Sequence, residues 1–194
     1  MYSVFVTIIA LAYMLFDVNY YIRAACFYAL GRLTKKKFNA KNCTTIYGFC
    51  TTQDIDLFIK HMNNARYLRE LDFARFYFYD ISGIYKKILD ANGAVLQGAS
   101  SVRYRRTIPI FTAYKVETKV VYWEDKTLFF EHQFITFDGF VRAVVLSRQN
   151  LVNIEADELM KNVPGAEVKP DCPDEIRHWL TSIEFSSAKL RKKD

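Results

Sequence analysis

Glycine and proline are scarce here, seven and four in a chain of 194 residues. That scarcity argues against long disordered tracts. Four cysteines, Cys26, Cys43, Cys50 and Cys172, show no metal-ligand spacing such as Cys-x-x-Cys. Their even number permits disulfides without marking a disulfide framework, and free thiols are the expectation. Neither a zinc-finger spacing nor an aromatic nucleic-acid motif is present. No metal, no cofactor and no nucleic-acid partner is therefore expected. No internal repeat, linker or second domain can be found, and the first sixteen residues hold no charged side chain.

What is present is apolar and aromatic. Hydrophobic residues make up 51% of the chain, with sixteen Phe and thirteen Tyr. This length suffices for one domain with a packed core. Aromatic and β-branched residues suit a half-buried pleated surface, so a sheet-rich domain is predicted. The net charge is +6. The basic residues gather at Lys35, Lys36, Lys37 and Lys41, at Arg103, Arg105 and Arg106, and at Arg191, Lys192 and Lys193. Such an excess fits anionic lipid or a phosphate-bearing ligand, although each cluster taken singly reads as solvated charge.

The start, MYSVFVTIIALAYMLF, spans ~24 Å as a helix, and ~33 Å if it continues to Ile22. Asp17 then lies near the interface, with Tyr20 and Tyr21 in the aromatic belt. A cleaved signal peptide would want a basic start and a small-residue cleavage site. A signal anchor fits better. Arg23, Arg32 and the lysine run follow it, so the positive-inside rule places the remainder in the cytosol. The basic cluster would lie against an anionic leaflet, making membrane lipids a partner. The expected division is residues 1–22 as membrane anchor, 23–43 as a basic connector and 44–194 as the folded domain. The Arg191–Asp194 end resembles a cytosolic dibasic signal of the endoplasmic reticulum, so a single-pass protein of that membrane is expected. Asn42-Cys43-Thr44 is a glycosylation sequon and marks the alternative, a lumenal or secreted domain.

Residues 44–52 alternate and read as a first strand. A loop over 53–63 leads to a helix from Asn64 to about Tyr79, with Tyr67, Leu71, Ala74 and Phe78 on one face. Asn63 or Asn64 suits its N-cap. Gly83 interrupts the pattern, and Ile84–Asp90 reads as a short helix stopped by Asn92-Gly93. From Ala94 the period becomes two. Strands are predicted over Ala94–Arg106, Thr112–Trp123, Thr127–Phe137 and Phe140–Val152, with Asp138-Gly139 as a hairpin turn. Two short helices follow, at Glu155–Lys161 and Pro173–Ser186. One apolar helix followed by an antiparallel meander is solved by curling the sheet around the helix, the α+β hotdog arrangement. Its exposed edges predict a homodimer.

Asp54-Ile55-Asp56, then His61-Met62-Asn63-Asn64-Ala65-Arg66-Tyr67-Leu68-Arg69-Glu70, resembles the hotdog acyl thioesterases. Together with Phe137–Val141, His178-Trp179 and the apolar start, it is most similar to the membrane-associated thioesterase superfamily member six family. The resemblance covers nearly the whole chain and implies an acyl-CoA thioesterase at a membrane surface. It also implies that the second Asp of the pair, Asp56, is nucleophile or base. Thioester hydrolysis needs an attacking oxygen and a polarised carbonyl; a carboxylate supplies the first and a helix N-terminus the second.

The expected catalytic residues are therefore Asp56 and His61. The expected substrate-binding residues are Asn63 and Asn64 at the helix start, Tyr67 one turn in, and Arg105 for the phosphates of CoA. On the strand, Arg103 and Arg105 should share a face and Arg106 the other. Each residue also has a plain role: helix cap, loop histidine, core tyrosine, solvated charge. The interval Leu57-Phe58-Ile59-Lys60 departs from the plant acyl-ACP enzymes, being one residue longer and lacking their Asn. Two roles are open to it, plugging the pocket or facing lipid. An acyl- or lipid-binding scaffold of the same fold is thus the alternative to the hydrolase.

Overall fold

The computed structural model describes residues 2–33 and 38–191. The expected basic run at Lys35–Lys37, and Lys192 to Asp194, lie outside them. Helices α1 (Tyr2–Leu15) and α2 (Val18–Leu33) precede strand β1 (Thr44–Phe49). Then come α3 (Asn64–Ile81) and α4 (Ile84–Asp90), followed by β2 (Ala94–Tyr104), β3 (Ala113–Glu124), β4 (Thr127–Thr136) and β5 (Val141–Val152). Helices α5 (Ala156–Met160) and α6 (Asp174–Arg191) end the described chain.

The five strands make one antiparallel sheet in the order β1-β3-β4-β5-β2. Its turns follow from local chemistry. Gly139, at φ +80°, closes the β4–β5 hairpin, and Asp138 Oδ1 accepts from the Phe140 N–H at 3.0 Å. Gly83, at φ +76°, separates α3 from α4.

One face of the sheet holds α3. Tyr67, Leu71 and Ala74 pack with Ile46, Tyr114, Val116, Phe134 and Val145. Further along, Phe78 and Tyr79 join Ile84, Phe130, Trp123 and Leu159 in a second cluster. The opposite face carries a smaller cluster in which α6 places Ile176 and Trp179 against Phe129 and Leu146. A helix held by an antiparallel sheet is the predicted hotdog architecture, and the strand order leaves β1 and β2 at the sheet's edges.

The N-terminal region departs from expectation. The helix predicted to run unbroken to Ile22 is two helices, bent by 79°. Asp17 is the physical reason: its Oδ1 accepts the Tyr20 N–H at 3.2 Å, starting a new helix in the manner of an N-cap. Among the described residues no single helix is long and apolar enough to cross a membrane. The boundary expected after Ile22 falls inside α2, and α2 is packed rather than slung. Tyr20, Ala24 and Phe27 lie against the α3 cluster, with the Phe27 and Phe73 rings 5.3 Å apart. By contrast, every α1 side chain described from Tyr2 to Leu15 is exposed except Ala12.

Candidate active site at the start of α3

The loop from β1 to α3 doubles back on itself. Ile55 and Met62 form an antiparallel bridge, and the Asp56 N–H donates to the His61 carbonyl at 3.0 Å. Asp56 and His61 are therefore neighbours across a tiny hairpin whose tip is Leu57–Lys60. The His61 Nε2 lies 3.6 Å from Asp56 Oδ2. The His61 Nδ1 is 3.2 Å from the Met62 carbonyl, which only a protonated nitrogen can meet. In the neutral ring, Nε2 is then the free base, turned toward the carboxylate. The Asp56 side chain is 15% exposed and that of His61 33%. The pair is sheltered yet reachable.

Asp54, two residues before, is in a different situation. Its Oδ2 accepts from the Thr51 N–H and hydroxyl, both at 2.8 Å, and its Oδ1 accepts from Arg66 at 3.0 and 2.6 Å. Burial alone would raise the Asp54 carboxyl, but these hydrogen bonds outweigh it and hold it below the usual carboxylate range. A carboxylate with its lone pairs so occupied is a brace for the loop. The Asn63 N–H also donates to the Asp54 carbonyl at 2.8 Å, fixing where α3 begins.

Asn63 is the N-cap of α3: it has extended backbone, and its Oδ1 accepts the Ala65 N–H at 2.8 Å. Asn64 is exposed, and its carbonyl accepts from the Tyr104 hydroxyl at 2.9 Å. Tyr67 is 1% exposed and lies between the rings of Tyr104 and Phe134. Its hydroxyl accepts from the Ile108 N–H at 3.2 Å, and burial pushes its pKa up to about 12. Asp56, His61, Asn63, Asn64 and Tyr67 are thus gathered at one end of α3. Of these, Asn63 and Tyr67 are engaged within the fold.

Arg105 belongs to the same end of the molecule. The chain leaving β2 returns past the loop, where the Met62 N–H donates to the Ile108 carbonyl at 2.8 Å and His61 bridges Pro109. The expectation that Arg105 and Arg106 point to opposite faces fails because the strand ends at Tyr104. Both backbone N–H groups donate to the Arg142 carbonyl, at 2.8 and 3.1 Å. The guanidinium carbons of Arg105, Arg106 and Arg142 lie 4.9, 4.5 and 5.3 Å from the centre of the Phe140 ring. This basic rim around one aromatic ring was not readable from strand alternation.

A second feature missed by the sequence reading ties α2 to this loop. Glu70 is 1% exposed and receives Arg23 of α2 on both oxygens. Arg66, braced on Asp54, lies 3.8 Å from the same carboxylate. An ion chain Arg23–Glu70–Arg66–Asp54 therefore runs from α2 through α3 to the loop. The i, i+4 spacing of Arg66 and Glu70 was its one local signal. Where α1 turns into α2, an open cleft of 1110 Å³ is lined by Tyr13, Phe16, Tyr47, Phe49, Asp54 and Arg69, among others. Asn19 donates to Gln53 there at 2.8 Å.

Comparisons with known proteins agree with this fold. The profile described as the thioesterase-like superfamily matches residues 50–180. Protein THEM6 of Drosophila melanogaster is 54% identical over 186 residues, which is 95% of this chain and 96% of that one. Among solved structures, YbaW, a probable thioesterase from Escherichia coli, superposes with a TM-score of 0.57 at 18% identity. That match covers 61% of this chain and 97% of its own. A 4-hydroxybenzoyl CoA thioesterase mutant complexed with 4-hydroxybenzoyl CoA superposes at 0.53 with 17% identity, covering 61% and 98%.

Proposed function

Because the chain belongs to the thioesterase-like superfamily, we propose that it hydrolyses acyl thioesters, acyl-CoAs in particular, at a membrane surface. The observation that carries this reading is the Asp56–His61 pair, 3.6 Å apart on a loop that ends at the N-terminus of α3. Water attacks the thioester carbonyl as the Asp56 carboxylate takes its proton, and the carboxylic acid so formed is turned toward the free Nε2 of His61, which can accept that proton in turn. The oxyanion forms against the Asn64 N–H at the start of α3, since the Ala65 N–H goes to the Asn63 side chain and the Arg66 N–H to the Asn63 carbonyl. The C–S bond then breaks, and the thiolate leaves with the proton that the pair held. Arg105, with Arg106 and Arg142, offers positive charge for the phosphates of CoA.

The test is free-thiol release from a panel of acyl-CoAs by the full chain. Asp56→Asn should lower turnover by roughly two to four orders of magnitude. Turnover left intact in that variant would end the catalytic assignment. One observation favours a second reading, an acyl- or lipid-binding scaffold: Leu57, Phe58 and Ile59 present apolar surface beside the pair. Tight binding of a non-hydrolysable acyl-CoA thioether, with no turnover of the thioester, would select it.

Two further elements belong to the proposal. We place the chain at the endoplasmic reticulum with its domain in the cytosol; protease attack on the C-terminus in sealed microsomes tests this, and a glycan on Asn42 would reverse it. We also expect a homodimer. Among the described residues strand β2 pairs with β5 alone, so its other edge is open there, and Leu96 upon the strand is 56% exposed. Sedimentation should give twice the chain mass.

A further inference from the structure

Three consecutive large apolar side chains stand at the tip of the catalytic loop: Leu57 is 96% exposed, Phe58 79% and Ile59 68%. Their exposure has a backbone cause. The Ile59 N–H donates to the Asp56 carbonyl at 3.1 Å, and Ile59 turns the chain at φ +55°. A β-branched residue is disfavoured there, whereas Asn or Gly would be at ease. The Ile59 side chain, largely exposed, meets solvent rather than the core.

Two more apolar residues flank the tip. The Ile110 N–H donates to the Lys60 carbonyl at 3.1 Å and the Phe111 N–H to the Cys50 carbonyl at 2.8 Å. This places the exposed Phe111 and Phe49 next to the base of the turn. Phe49 also lines the cleft at the α1–α2 bend, together with Phe16. Phe49 therefore stands between the apolar turn and the end of the uncharged, exposed α1. Lys60, exposed beside the tip, supplies a cation of the kind that meets anionic headgroups.

We propose that the Leu57–Ile59 turn inserts into a lipid bilayer, setting the Asp56–His61 pair at the level where acyl chains emerge. A convex spike of this kind suits a fluid acyl layer better than a fitted protein groove. Its nearness to α1, uncharged and exposed along most of its described length, points the same way. The inference rests on the membrane-surface reading above and adds which residues meet the lipid.

The test uses the full chain carrying Phe58→Trp, mixed with phosphatidylcholine–phosphatidylserine vesicles whose acyl chains are brominated. Flotation reports attachment and tryptophan emission reports depth. The two native tryptophans, buried Trp123 and half-buried Trp179, are common to both chains, so the parent chain gives the baseline. The expected result is co-flotation, a blue shift, and loss of most of the added emission to bromine. Co-flotation with unquenched emission would overturn the insertion while leaving the membrane reading standing. Failure to float would overturn both. A blue shift already present without lipid, growing with protein concentration, would assign the turn to a second copy and overturn the proposal.

Discussion

The Arg23 guanidinium meets the Glu70 carboxylate head-on, Nη1 to Oε1 at 2.7 Å and Nη2 to Oε2 at 2.5 Å. Glu70 is sealed inside the fold, so its charge depends on a helix that the sequence presents as a tether. The guanidinium also lies 4.8 Å from the centre of the Phe73 ring. Around it, Arg69 pairs with Asp17, and the Tyr20 hydroxyl donates to Asp72 at 3.2 Å. Helix α2 is thereby a structural part of the domain.

Removing Arg23 should leave a buried carboxylate short of its partner. Arg23→Met is expected to cost about 2–4 kcal/mol, since an uncompensated buried charge is worse than no pair at all. The double variant Arg23→Met with Glu70→Leu should recover much of that loss. Urea denaturation of the four chains of this cycle measures it, and equal stability of single and double variants would refute it.

Gly48 is required by the ring above it. A Cβ there would stand 2.4 Å from Tyr114 Cζ and 2.5 Å from its hydroxyl oxygen. Tyr114 is 1% exposed, so the ring has nowhere to go. Gly48→Ala should destabilise by about 1–3 kcal/mol. Combining it with Tyr114→Leu should make the glycine change nearly silent in thermal unfolding.

His132 gives the fold a pH dependence. Its ring is fully buried between the Thr118 and Ser147 hydroxyls, both at 2.9 Å, and burial drives its pKa well below 6.5. The unfolded chain therefore binds a proton that the folded chain refuses. Stability is complete above about pH 6.5 and falls as the pH drops below it, by up to ~1.4 kcal/mol per unit. Asp54 works in the same direction but only in stronger acid, because its folded pKa is below the ordinary 3.8. Unfolding midpoints between pH 7 and 5 should decline in the parent and flatten in His132→Gln.

Asn63 and Asn64 should separate by property. Asn63→Ala removes the α3 cap and should cost ~1 kcal/mol, which Asn63→Asp restores. Asn64→Ala keeps the carbonyl that Tyr104 uses and should leave stability within about 0.5 kcal/mol. A larger stability loss at Asn64 than at Asn63 would contradict this assignment.

Much of the architecture was legible in the residues, because secondary structure is written in local periods. Apolar residues at helical spacing gave α3 from Asn64, and alternation gave β2 to β5 within a residue or two at most ends. Asp138-Gly139 gave its hairpin turn, since only the glycine takes φ +80° without strain. The Asp-x-Asp and His-x-Asn-Asn segments pointed to the candidate site at the start of α3.

Tertiary structure alone decided what each of these residues does there. Asp54 and Asp56 are alike in sequence, yet Arg66 and Thr51 occupy one while the other faces His61. Tyr67 became core because Phe134 and Ile108 close over it, and Arg106 joined Arg105 because the strand stopped at Tyr104. Arg23 and Glu70 stand 47 residues apart. Local propensity is a property of the chain and acts over a few residues, so it can be read along the sequence. Burial and ion pairing act through space, between groups that folding brings together, and so they appear only once the chain has closed on itself.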